Sequence, residues 1–157
     1  MTDRPLLPGW HSRRLDTITP ERATVQAWLE AYVRAWQSYD PAEIADLWTE
    51  DATWIYPFGV RARGRSAITA EWLAEQHLDA RGGYDAIHEP IAIDGDIVVT
   101  HGRTRFFDPE TGATQTDYDN IWVLRFGPDG RCAEFHEWYA GRPETPAGHV
   151  ETIAETS

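Results

Sequence analysis

The stretch TQTDYDNIWVLRF, residues 114–126, decides the fold. Side chains along an extended chain alternate between two faces, and here the two sets differ. Tyr118, Asn120, Trp122, Leu124 and Phe126 are the bulkier and more apolar set, while Asp117, Asp119, Ile121, Val123 and Arg125 share the other face. The first set is therefore assigned to a face covered by helices. Upstream, Ile91-Ala92-Ile93, Asp94-Gly95 and Ile97-Val98-Val99 read as a hairpin around a favoured two-residue turn. Asp108-Pro109-Glu110-Thr111-Gly112 and Gly127-Pro128-Asp129-Gly130 are the next two turns. The predicted strands are 84–94, 96–107, 114–126 and 131–140, with a short one at 52–57 that Pro57 and Gly59 end.

The residues before this meander have helical spacing. Val25, Trp28, Leu29, Tyr32, Val33 and Trp36 fall on one stripe, predicting a helix over 20–38 with Thr19 as its cap and Pro20 in first position. Asp40-Pro41-Ala42-Glu43 predicts a second start, with Asp40 capping and Glu43 completing a capping box. Its apolar face is Ile44, Leu47 and Trp48. Ser66 is placed as the cap of a third helix that turns Ile68, Trp72 and Leu73 inward. Helices followed by an antiparallel meander make an α+β domain. Residues 1–19 read as an N-terminal arm, 20–142 as the domain and 143–157 as a polar tail.

Bulk properties narrow the function. A chain of 157 residues, 41% hydrophobic and 25% charged, has the length and balance of one globular domain. A net charge of −12 leaves no basic face for phosphates, so neither nucleic acid nor an anionic membrane is expected as a partner. Cys132 is the only cysteine, which rules out an internal disulfide and a cysteine-ligated zinc and suits a reducing cytoplasm. Residues 1–10 carry no apolar signal core, and no apolar run is long enough to span a bilayer. There is no His-x-x-x-His spacing, glycine-rich nucleotide loop or Gly-x-Ser-x-Gly frame, so no metal and no cofactor are expected.

Three passages resemble the NTF2-like superfamily, which includes SnoaL-like cyclases and ketosteroid isomerases. They are Tyr39-Asp40-Pro41 through Leu47-Trp48-Thr49-Glu50-Asp51-Ala52-Thr53; Tyr56-Pro57-Phe58-Gly59 with Gly64-Arg65; and Val123–Phe126 with Asp129-Gly130-Arg131 and Glu137-Trp138-Tyr139. The resemblance covers roughly residues 22–142. It implies a cone in which three N-terminal helices pack on a strongly curved, mainly antiparallel sheet, and a homodimer through the outer sheet face, with Ile121, Val123, His136 and Trp138 at or beside the interface. Against ketosteroid isomerases, Tyr32 falls at the oxyanion-hole tyrosine, Tyr56 at the catalytic base aspartate, and Trp122 at the second, protonated aspartate. A phenol with a pKa near ~10 is a poor base at neutral pH, and an indole donates one N–H but is no acid.

A hairpin turning at 108–113 sets Asn120 near His101, Tyr118 near Arg103 and Trp122 near Val99. That register puts His101, Arg103 and Arg105 on the covered face. Alternation adds Phe135, Glu137 and Tyr139 from the last strand and Trp54, Tyr56 and Phe58 from the first. Two accounts of this set stay open. In one, Arg103–Glu137 and His101–Asn120 are internal pairs that satisfy buried polar groups. In the other, His101, Glu137 and Tyr32 are catalytic, with Trp54, Tyr56, Phe58, Arg103, Tyr118, Asn120, Trp122, Phe135 and Tyr139 binding a hydrophobic, carbonyl-bearing small molecule. The enzyme reading is cofactor-free proton transfer, as in isomerisation, cyclisation or dehydration. The competing reading is a binding or dimerisation domain without turnover. His88 is a further candidate near the cone mouth, and His77 is expected near the end of the third helix.

Overall fold

The computed structural model describes residues 16–75 and 83–143. Its elements run α1 (Arg22–Ser38), α2 (Pro41–Asp46), β1 (Trp48–Tyr56), β2 (Gly59–Arg63), α3 (Arg65–Leu73), β3 (Tyr84–Asp94), β4 (Ile97–Phe107), β5 (Thr114–Phe126) and β6 (Cys132–Gly141). The six strands form one curved, open sheet in the order β2-β1-β6-β5-β4-β3. Only the β1–β6 pair is parallel. The helices lie on its concave face, so the fold is the expected α+β cone. Among the described residues no helix is long and apolar enough to cross a membrane.

Local chemistry moves several boundaries. Ile18 donates its N–H to the Phe126 carbonyl at 3.0 Å, which keeps the chain extended past Thr19. Helix α1 therefore starts two residues late, with Glu21 rather than Thr19 at its N-cap and no side-chain cap. Asp40 caps α2 as expected, accepting from the N–H groups of Ala42 at 2.8 Å and Glu43 at 3.1 Å. The capping box does not close. Ser38 Oγ donates to Glu43 and accepts the Asp40 N–H instead. Helix α3 is capped by Gly64, at φ 87°, where an L side chain would be strained. The Gly64 N–H is taken by the Ala52 carbonyl, so β2 turns straight into the helix and Ser66 falls inside it. His77 lies outside the described residues.

The core is a lattice of rings. The α1 stripe is buried at Val25, Trp28, Leu29, Tyr32 and Trp36. Phe135 of β6 sits at its centre, stacked on Tyr32 at 5.7 Å and meeting Trp28, Trp48, Trp54 and Trp122 at tilted or edge angles. Such angles set the positive edge of one ring against the negative face of another. Trp36 stacks on Trp72 at 4.3 Å and on Tyr84 at 5.6 Å, tying α1 to α3 and β3. Phe135→Ala should cost about 3–5 kcal/mol in urea unfolding; a cost under about 1 kcal/mol would show that the rings do not depend on it.

Candidate active site

Two β-bulges shape the concave face. Phe107 pairs with Thr114, the register that the 108–113 turn implies, but the next pair inward is Phe106 with Thr116. The extra residue, Gln115, shifts the register by one, so that Gly102 rather than His101 lies opposite Asn120. A one-residue slip turns over every side chain of a strand. Thr100, Gly102, Thr104 and Phe106 therefore face the helices, and the expected inward placement of His101, Arg103 and Arg105 is overturned. His101 is exposed. Arg103 pairs with Asp117 on the outer face, and the Arg105 guanidinium lies over Phe107. The expected internal Arg103–Glu137 and His101–Asn120 pairs do not form.

The second bulge is in the β1–β2 hairpin. Tyr56 pairs with Gly59 across a two-residue turn, Pro57-Phe58, which ends the alternation of β1 and leaves Phe58 97% exposed. The expected pocket role of Phe58 is therefore corrected. Ile55 pairs with Val60 and Trp54 with Ala62, so Arg61 is the extra residue. The bulge aims its guanidinium back over Trp54 at 4.8 Å and Tyr56 at 4.5 Å. Arg61 donates through Nε to Glu71 at 3.0 Å and through its two terminal nitrogens to the Tyr56 hydroxyl and to Glu75.

Between these bulges lies a cavity of about 210 Å³. Of the expected residues, Tyr32, Trp54, Tyr56, Tyr118, Asn120, Trp122, Glu137 and Tyr139 line it. Phe135 faces the same side but lies beneath the lining, fully buried. Trp36, Arg61, Glu75, Tyr84, Thr104, Phe106 and Thr116 complete the wall. Alternation could have supplied Tyr84, whose partner is Phe106, but Arg61 and the β4 residues depend on the bulges. A larger hollow of about 690 Å³ runs between α1, α2 and the 127–131 turn. Its charged residues lie at the surface, where Arg131 pairs with Asp46 and Asp129, so it lacks the half-buried ionisable group, set among aromatic rings, of the cone.

Glu137 is that group. It lies opposite Trp122 on β5, and its Oε1 accepts from Asn120 Nδ2 at 3.3 Å and Trp122 Nε1 at 3.4 Å. Burial among the rings pushes its pKa up to about 7, with the nearby Glu75 charge adding to the rise. The two hydrogen bonds and Arg61 pull the other way without cancelling the burial. Tyr32 and Tyr56 are raised well above the ordinary phenol value, first by burial and then by the Glu137 charge. Both therefore remain O–H donors at any ordinary pH.

His88 lies under this assembly rather than in the cavity wall. Its ring stacks on Trp122 at 3.7 Å, and Nε2 meets Thr104 Oγ1 at 3.2 Å. Nδ1 is buried without a partner among the described residues. Burial, helped by His101, lowers its pKa to about 3, so it stays neutral. Gly102 makes the space: a Cβ there would lie 1.9 Å from His88 Nδ1 and 2.4 Å from the Ile87 carbonyl.

The family model of the SnoaL-like domain matches residues 29–135. The comparison with curated proteins found no match. Among solved structures, an NTF-2 like protein of unknown function from Burkholderia xenovorans is 18% identical with a TM-score of 0.56, covering 80% of this chain and 89% of that one. A SnoaL-like protein of unknown function from Burkholderia thailandensis is 22% identical, TM-score 0.55, covering 78% and 99%. An LEH-like epoxide hydrolase from M. tuberculosis is 17% identical, TM-score 0.56, covering 77% and 86%. At these identities the likeness is one of fold.

The His88–Gly102 contact predicts a coupled pair of substitutions. Gly102→Ala should destabilise the protein by about 1–3 kcal/mol through overpacking. In the double variant with His88→Ala the loss should be smaller than the sum of the two separate losses, because the clash with the ring has gone and only that with the Ile87 carbonyl remains. Strict additivity in denaturant unfolding would mean that the ring does not occupy that space.

Proposed function

The chain belongs to the SnoaL-like family, and on that premise we propose that it is a cofactor-free enzyme that moves a proton on a hydrophobic, carbonyl-bearing small molecule, with Glu137 as general acid and base. The observation that carries this reading is a carboxyl group in an aromatic cavity, held by two N–H donors, with its pKa up to about 7. Near neutral pH it is populated in both forms, which suits a group that must take a proton and give it back.

The step follows from what surrounds the carboxylate. Glu137 takes a proton from the carbon beside the carbonyl. The C–H electron pair moves into an enolate, and the negative charge develops on the carbonyl oxygen. Tyr56, whose oxygen already accepts from Arg61, has its own O–H free to donate to that oxygen, with Tyr32 as the second donor. Where the ketone carries a β,γ double bond, the enolate is conjugated with it, and Glu137 returns the proton at the γ carbon, moving the double bond into conjugation with the carbonyl, an isomerisation with no net redox change. Asn120 and Trp122 hold the carboxyl in place. His101 has no part in this scheme, since it lies on the outer face.

The alternative is a ligand-binding domain without turnover, in which Asn120 and Trp122 simply satisfy a buried carboxyl group. Glu137→Gln separates the two. It should lower turnover of a responsive ketone by about 10²–10⁴-fold, with fold and ligand affinity retained. Unchanged turnover per folded molecule would sink the catalytic assignment.

Glu137 also makes stability depend on pH. A carboxyl group with a raised folded-state pKa binds its proton more tightly when folded. The stability it contributes is fully present below about 4.5 and is lost as pH rises through about 7. At pH 8, Glu137→Gln should therefore be more stable than the parent, on the order of 1–3 kcal/mol, and the gain should vanish by pH 4. A variant less stable than the parent at pH 8 would show that the carboxylate is well accommodated.

The proposal includes a homodimer through the outer sheet face. Ile87, Ile91 and Ile121 are exposed there, and Trp138 stacks on His136 at 3.7 Å. Light scattering should give about twice the 17.9 kDa chain mass, and Ile121→Glu should shift it towards the monomer. A monomer at micromolar concentration would refute it.

A further inference from the structure

We propose that the cavity takes a neutral ketone of one or two fused rings, and selects against four-ring ketones and against anionic ligands of the same size. This rests on the reading of the cone as a ligand site and names the substrate class it would accept.

Size comes from volume and stiffness. An apolar cavity of about 150 Å³ holds benzene, and sites for larger ligands run from about 300 Å³ upward. The cone, at about 210 Å³, falls between them. Its walls have little freedom to retreat. Tyr32 is packed on Trp122 at 4.9 Å and Trp72 at 5.0 Å, and Trp36 on Trp72 and Phe106 at 4.3 and 5.5 Å. Moving any of these rings disturbs the central core, since close-packed interiors deform at a cost. At the rim Tyr139 touches both Tyr56 at 6.1 Å and Tyr118 at 5.3 Å.

Charge selection comes from how the ionisable groups are already used. Among the described residues Arg61 is the only cation in the wall, and each of its three nitrogens already donates to a partner, Glu71, Tyr56 and Glu75. An anion would have to break those pairs while lying beside Glu75 and Glu137. A neutral carbonyl needs only the tyrosine O–H groups or a protonated Glu137, and it disturbs no existing pair.

The test is titration of the full chain with 1-tetralone, 1-naphthoate and androst-4-ene-3,17-dione. Binding is read by calorimetry and by the emission of the tryptophans that line the wall. Saturable binding of 1-tetralone, at least about 10-fold tighter than the other two, supports the inference. Thr116→Trp, which fills the wall from a half-buried position, should abolish that binding while the melting temperature is held. Equal or tighter binding of the four-ring ketone or the anion overturns the inference, and so does failure of 1-tetralone to bind. The series repeated on Glu137→Gln in D2O, with turnover read as exchange of the ketone α-hydrogens for deuterium, keeps the two proposals apart. Size selection that persists without turnover in either protein leaves this inference standing and removes the catalytic one. Turnover that depends on Glu137 but with the four-ring ketone preferred does the reverse.

Discussion

The site depends on the register between β4 and β5 in the middle of the sheet. One bulged residue, Gln115, turns β4 so that its small inward residues, Thr100, Gly102 and Thr104, face the helices. Gly102 leaves room for the His88 ring, and that ring lies flat on Trp122. The Trp122 indole N–H is thereby held towards Glu137. With the opposite register, His101 and Arg103 would enter the cone, and Glu137 would face a guanidinium that pulled its pKa down. The backbone irregularity thus decides whether the half-buried carboxyl group is neutralised by a cation or left to titrate near neutral pH.

The second bulge works in the same direction from the other side. Arg61 is brought to the edge of the cavity, but Glu71 and Glu75 take up its charge before it can dominate Glu137. The net influence on Glu137 is then set by burial rather than by any one neighbour. An acid–base residue wants this balance, because a carboxyl group locked to an arginine would be ionised at all working pH values and a weak proton donor.

Most of the fold could be read directly from the chain because it follows from local periods. The 3–4 spacing of Val25 to Trp36 gives α1, and the alternation of Tyr118 to Phe126 gives the inward face of β5. Glu137 and Tyr139 follow from the same period of two on β6. The failures have one cause. A period of two carries no sign of where an extra residue sits, so the bulge at Gln115 reverses the assignment of His101 and Arg103, and that at Arg61 hides a cation at the cavity wall. Phe58 was misplaced for a related reason: the chain turns at Pro57-Phe58, so alternation cannot be carried past Tyr56. The Gly102–His88 contact joins two strands through side-chain shape, which neither strand's own pattern encodes.

The account turns on the ionisation of one carboxyl group, and that can be measured without knowing the substrate. A carbon-13 NMR titration of the side-chain carboxyl of Glu137, assigned by its loss in Glu137→Gln, reports it directly. The account predicts a midpoint near 7. A midpoint near 4.5, the ordinary value for a glutamate, would contradict it and leave the cone without a group poised for acid–base work at neutral pH.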